Sequence, residues 1–151
     1  MNQASAWAQK EDFSPINTAV PLLSIAPDAR GGAMGDNGTA TGSDIASQYW
    51  NPAKYAFNYS NAGVGLSYTP WLRKLVSDVA LAYLSGFYKI GQNDNQAIGA
   101  SLRYFTLGEI PMHANPGEPA YNYLNPYEMA LDVSYSRKLS ESYSMAVALR
   151  Y

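Results

Sequence analysis

Residues 128–151 read EMALDVSYSRKLSESYSMAVALRY. Met129, Leu131, Val133 and Tyr135 alternate with Glu128, Ala130, Asp132, Ser134 and Ser136. After a tight turn at 140–142, Tyr143, Met145, Val147, Leu149 and Tyr151 alternate with Ser144, Ala146, Ala148 and Arg150. A period of two is the signature of a β-strand. These runs match the roughly 9–11 residues a tilted strand needs to cross a bilayer. Alternation alone does not say which face is inside. A soluble barrel or sandwich would turn the apolar face inward and the other to water; the companion face favours a membrane barrel instead, because it is mainly Ser and Ala with a few charges, where a water-facing surface carries many. The lumen of a membrane β-barrel tolerates small polar residues and occasional charges, so the pattern predicts barrel strands.

Upstream, three further segments carry the same rhythm. Ala62, Val64, Leu66 and Tyr68 alternate with Gly63, Gly65, Ser67 and Thr69. Between 78 and 90 both faces are apolar or small, and the phase cannot be assigned. Between 96 and 110, Ile98, Ala100, Leu102, Tyr104 and Ile110 face away from Gly99, Ser101, Arg103 and Glu109, with Phe105 and Leu107 breaking the second face. The connections run medium (70–77), short (91–95), long (111–127) and short (140–142), the alternation of outer loops and periplasmic turns in an outer-membrane barrel. Residues ahead of the first strand then lie on the periplasmic side. Tyr68 and Trp71 fall at the outer rim, Tyr88 and Tyr143 at the inner rim, as aromatic girdles do. Five strands cannot close a barrel, and an unpaired edge is not viable in lipid. The expectation is therefore the front part of a longer protein.

Bulk composition agrees. Charged residues make up 15% of the 151 residues, against about 25% in ordinary domains. Tyrosine occurs 13 times. The best apolar run, 19–26, is short and broken by Pro21, which excludes a transmembrane helix. A net charge of −2 gives no basic footprint for nucleic acid. The absence of cysteine excludes disulfides and thiol chemistry.

Ahead of the strands stands DARGGAMGDNGTATGSDIASQYWNPAKYAF, residues 28–57. Its glycines lack the G-x-G-x-x-G spacing and no G-K-[ST] follows, so a nucleotide cradle is not supported; close backbone packing or tight turns account for them. Asn51-Pro52 disfavours helix at Asn51 and starts a turn. With Tyr49, Trp50, Tyr55 and Phe57 around it, this turn predicts a packed corner before the first strand. His113 is the only histidine and has no metal-ligand or triad partner,. Arg103, Asp132 and Arg150 fall on lumen-facing positions of neighbouring strands, where an ion-pair ladder or contact with a plug is expected, since buried charges are usually paired. No catalytic, cofactor-binding or metal residue is identified. At the N-terminus, Ala6-Trp7-Ala8 has the form of a signal-peptidase site. The chain accordingly divides into a signal-peptide remnant and flexible start (1–14), a plug or hatch segment (15–60) and five strands of an incomplete barrel (61–151).

Certain strings also carry a family likeness. DARGGAMGD (28–36) and SQYWNPAKYAF (47–57), with YTPWLRKL (68–75), LAYLSG (81–86) and LRYFTLGEI (102–110), resemble the PorV (LptO) family, outer-membrane components of the type IX secretion system in Bacteroidota. The likeness covers essentially all of 15–151. It implies an all-β, FadL-like transmembrane barrel of about fourteen strands, of which five are present. It also implies a periplasm-proximal plug or hatch at 28–57, with Asp28, Arg30, Gly35, Asp36, Trp50, Asn51 and Pro52 as its motif residues. The function implied is non-enzymatic and without cofactor: the barrel binds the C-terminal signal domain of secreted cargo leaving the translocon and passes it to sortase-like attachment components at the cell surface. Cargo contacts are then expected on loops 70–77 and 111–127. A FadL-like channel for hydrophobic small molecules is the alternative, and it needs an apolar lumen that the small, polar positions of the last two strands do not offer. An enzyme acting on lipopolysaccharide lacks any base, nucleophile or metal set in these residues.

Overall fold

A computed structural model of the chain describes residues 21–70, 78–91, 95–112 and 122–151. The signal-peptidase motif, Trp71 and His113 lie outside them. The described residues hold seven strands: β1 (Ala62–Pro70), β2 (Val79–Ile90), β3 (Gln96–Leu107), β4 (Ile110–Met112), β5 (Asn122–Leu124), β6 (Tyr127–Ser140) and β7 (Tyr143–Arg150). Five form one antiparallel sheet in the order β1-β2-β3-β6-β7, and β4 pairs with β5 as a separate small hairpin. The fold is an all-β antiparallel meander, a partial barrel. The long connection expected at 111–127 thus contains strand structure. The third strand ends at Leu107, just before Gly108 with its left-handed φ of 81°. Such a backbone angle suits glycine, which has no Cβ to clash.

Register gives the two faces opposite chemistry. Leu66, Leu84, Leu102 and Leu131 stand opposite one another in a row across four strands. The adjacent row, one residue along, is Gly65, Ser85, Ser101, Asp132 and Arg150. The leucine row is on the bare face, with Val64, Ile98, Val133, Val147 and Leu149 beside it, Val64 being 76% exposed. Tyr68, Tyr104 and Tyr127 lie toward one end of that face, and Tyr88, Tyr135 and Tyr143 toward the other. The polar row is on the inner face, where Ser85, Ser101 and Asp132 are buried. A water-soluble sheet does the reverse, and an apolar surface of this extent is suited to lipid.

The inner face is buried by the chain's own beginning. Residues 21–57 form a 3-10 turn (Pro21–Ser24), two short helices, α1 (Ala29–Ala33) and α2 (Ser47–Trp50), and a 3-10 segment (Pro52–Phe57). Leu22 packs with Leu81, Phe105 and Ala130 near one end of the sheet, and its N–H donates to Glu128 Oε2 at 3.0 Å. Tyr55 and Ile45 pack with Phe87 and Ala97 farther along. Ala53 O accepts from Ser144 Oγ at 2.9 Å, and Lys138 Nζ sits 5.8 Å from the Phe57 ring centre, both near the β6–β7 turn. The segment therefore runs most of the length of the strands. This also assigns the phase of β2. Leu81, Tyr83 and Phe87 point inward against the segment while Leu84 and Tyr88 point out. Phe105, which broke the predicted pattern, is inward for the same reason.

Candidate functional site: the inner face and the segment on it

The segment is organised around Trp50. The Asp28 carboxylate caps α1 by accepting from Gly31 N–H at 2.7 Å, and its other oxygen accepts from Trp50 Nε1 at 2.8 Å. One carboxylate thus satisfies a free helix N–H and the indole N–H together. Gly31 and Gly38 lie against the indole: a Cβ at Gly31 would stand 2.6 Å from Trp50 Cζ2, and one at Gly38 2.5 Å from three indole carbons. These two glycines are glycine because a ring occupies the space of their side chains. Gly35 has another cause. It follows the end of α1 with φ 72°, its N–H bonds to Gly32 O, and the Asp36 N–H returns to Gly31 O at 3.0 Å. This is a Schellman ending, which calls for glycine in the left-handed position. Asp36 itself is left-handed (φ 58°) and exposed. Arg30 reaches across to Asp44 at 3.2 Å as a surface ion pair, the kind worth about 0–1 kcal/mol.

Asn51 and Pro52 start a helix-like turn. The Asn51 side chain accepts from Ala53 N–H at 3.1 Å, and Pro52 takes the first position of the 3-10 segment, where no N–H is needed,. That segment buries Lys54 and Tyr55. Lys54 Nζ donates to Gly38 O at 2.7 Å and Thr41 Oγ1 at 3.2 Å, tying the glycine-rich loop down. Burial pushes the Lys54 ammonium below its ordinary pKa, with Asp44 opposing. Tyr55 OH donates to Ile45 O at 2.7 Å and accepts from Gln48 N–H at 3.0 Å, and its ring stacks on Phe87 at 4.7 Å. Burial raises the Tyr55 phenol strongly, and that of Tyr49 less so against the pull of Arg103.

The wall is shaped to receive these groups. At Gly99 a Cβ would meet Gln48 Oε1 at 2.4 Å and Tyr55 Cε2 at 2.6 Å; at Gly65 it would meet Ile45 Cγ2 at 2.9 Å. Ser134 donates to Gln48 Oε1 at 2.6 Å and Ser85 to Ile45 O at 3.1 Å. Arg103, Asp132 and Arg150, scattered over 48 positions of sequence, converge on one carboxylate. Arg103 Nη2 lies 3.3 Å from Asp132 Oδ2, Arg150 Nε bonds Asp132 Oδ1, and Ser101 Oγ donates to Oδ2 at 3.3 Å. The Arg103 guanidinium also lies 4.9 Å from the centre of the Tyr49 ring. The three charges form an ion-pair ladder along the wall, and Arg103 also touches the segment through Tyr49.

Of the predicted motif residues, the structure brings Asp28 and Trp50 into one hydrogen bond and places Gly35, Asn51 and Pro52 at turns. It leaves Arg30 and Asp36 at the surface. Sequence reasoning read Gly31 and Gly38 as close-packing or turn glycines without naming Trp50 as their neighbour, and it missed Gln48, Lys54 and Gly99. The side-chain partners of these three lie 13 to 86 residues away and leave no local pattern. Among the described residues no group of three or more His, Cys, Asp or Glu is placed to hold a metal ion. What this arrangement does chemically is hold a folded segment against a polar wall.

No curated protein matches the chain. A family model described as "Type IX secretion system protein PorV" matches residues 8–151, nearly the whole chain. This match shows that the chain, an all-β antiparallel sheet with a segment over its inner face, belongs to the PorV family of type IX secretion system proteins.

Proposed function

We propose that this protein is an outer-membrane β-barrel that binds secreted cargo through the cargo's C-terminal signal domain and delivers it to the surface attachment complex. The family match over residues 8–151 carries this reading. The apolar outer face between two sets of tyrosines supports an outer-membrane location, with residues 15–60 forming a plug or hatch in the barrel interior. Its partners are cargo C-terminal domains, the translocon and sortase-like attachment components. We place cargo contacts on the connections at 70–77 and 111–127, most of whose residues lie outside the described ones. A channel for hydrophobic small molecules would need an apolar path, whereas the inner wall offers Ser85, Ser101, Asp132, Ser134 and Ser136. An apolar hollow of about 580 Å³ lined by Val64, Leu84, Ile98 and Leu131 involves the outer face instead.

The test is retention of a secreted protein's isolated C-terminal domain by the protein purified from outer membranes, with export followed in a deletion strain. Retention with cargo lost from the cell surface is expected. No retention together with normal export would sink the reading.

A further inference from the structure

We propose that Arg103 and Arg150 form a carboxylate-binding site inside the barrel, which Tyr49 of the leading segment keeps covered. Two guanidiniums face one carboxylate, so Asp132 leaves an excess of one positive charge at this place. Arg103 is fully buried, yet only its Nη2 is used; Nε and Nη1 have no hydrogen-bond partner among the described residues. Leaving such donors unmade inside a protein is costly, more so on a charged group. The planar fork of arginine suits a carboxylate best, and Asp132 already shows one bound in this place by both side chains,.

Tyr49 is the cover. Its ring lies over Arg103 at 4.9 Å and its hydroxyl is tethered to Leu23 O at 3.1 Å, so ring and segment move together. A ring face satisfies a cation only in part. A carboxylate competes for Arg103 by giving it full hydrogen bonds, and carboxylate binding and displacement of the segment are therefore linked. The site rests on the inner wall alone and not on a role in secretion.

The experiment uses the protein purified from outer membranes in detergent, with sodium acetate, octanoate and a short Asp-containing peptide as separate probes against sodium chloride at equal ionic strength. Heat-dependent gel mobility reports folding and its midpoint. Tyr49→Ala is expected to show an upward shift of the midpoint with carboxylate, because a ligand that binds only the folded state stabilises it. The shift should vanish in Tyr49→Ala/Arg103→Met and return in part with Lys at position 103. Acetate acting as well as octanoate marks a polar, peptide-like ligand; octanoate alone marks a fatty acid, and either outcome supports the site. No carboxylate-specific shift in Tyr49→Ala, or one that persists without Arg103, overturns it. Should Tyr49→Ala not fold, hydrogen exchange of residues 47–50 in the unaltered protein replaces it. Faster exchange in carboxylate than in chloride is expected, and equal exchange overturns the proposal.

Discussion

Asp132 and Val133 are neighbours on β6, and they have opposite surroundings. Asp132 is 2% exposed and held by two arginines and a serine; Val133 is 51% exposed with Ala100 as its register partner. The same contrast repeats along the row of leucines and the row of serines beside it. A strand turns each successive side chain to the opposite face, so a single residue step carries the chain from the bare apolar face to the covered polar one. The two faces are also stabilised differently. The outer face needs only apolar surface of any shape. The inner face needs named partners, because the leading segment meets it through individual hydrogen bonds and through glycines that make room for particular side chains.

Removing the charge from the inside should cost most. Asp132→Ala leaves Arg103 buried without its anion, and loss of one partner from a buried pair costs about 3–5 kcal/mol. A large fall in the midpoint of heat-dependent gel mobility is expected, while Val133→Ala falls little. Adding a charge to the outside comes next. Val133→Lys places an ammonium in lipid, at about 2–4 kcal/mol near the bilayer midplane. Measured in the same assay, this should lower stability, while Ser134→Lys, one residue on, disturbs docking of the segment instead. The third effect is local: Trp50→Ala empties the slot between Gly31 and Gly38 and unpairs Asp28. Limited proteolysis should cut within residues 28–57 faster while the folded barrel band persists, separating segment from wall.

The smallest effect is in alkali. Burial holds the folded-state pKa of Tyr55 above its ordinary value of 10.0. Its contribution to docking is therefore fully present below about pH 10 and lost as pH rises through the folded-state value. Protease sensitivity of the segment should rise above that pH, and Tyr55→Phe should flatten the rise at the expense of a lost bond to Ile45 O.

The strands were legible because their rhythm is local. In β6 and β7 the period of two places the paired runs within a residue or so of the strand ends. The charged trio was legible by parity, since inward positions on adjacent strands must meet. Where both faces are apolar, parity fails: Leu81 and Phe87 cannot be assigned to a face until Leu22 and Tyr55 are seen packed on them. The length of the leading segment's path was hidden for the same reason. Its docking relies on contacts such as Gln48 with Ser134 across 86 residues, which no periodic signal records.

The central claim is that the leucine face meets lipid and the serine face meets the leading segment. The chain has no cysteine, so single cysteines at 129 through 136 can carry a fluorophore one at a time. With the protein in bilayers, quenching by a lipid-soluble quencher should be strong at 129, 131, 133 and 135 and weak at 130, 132, 134 and 136. Equal quenching along the strand, or strong quenching at the even positions, would contradict the account.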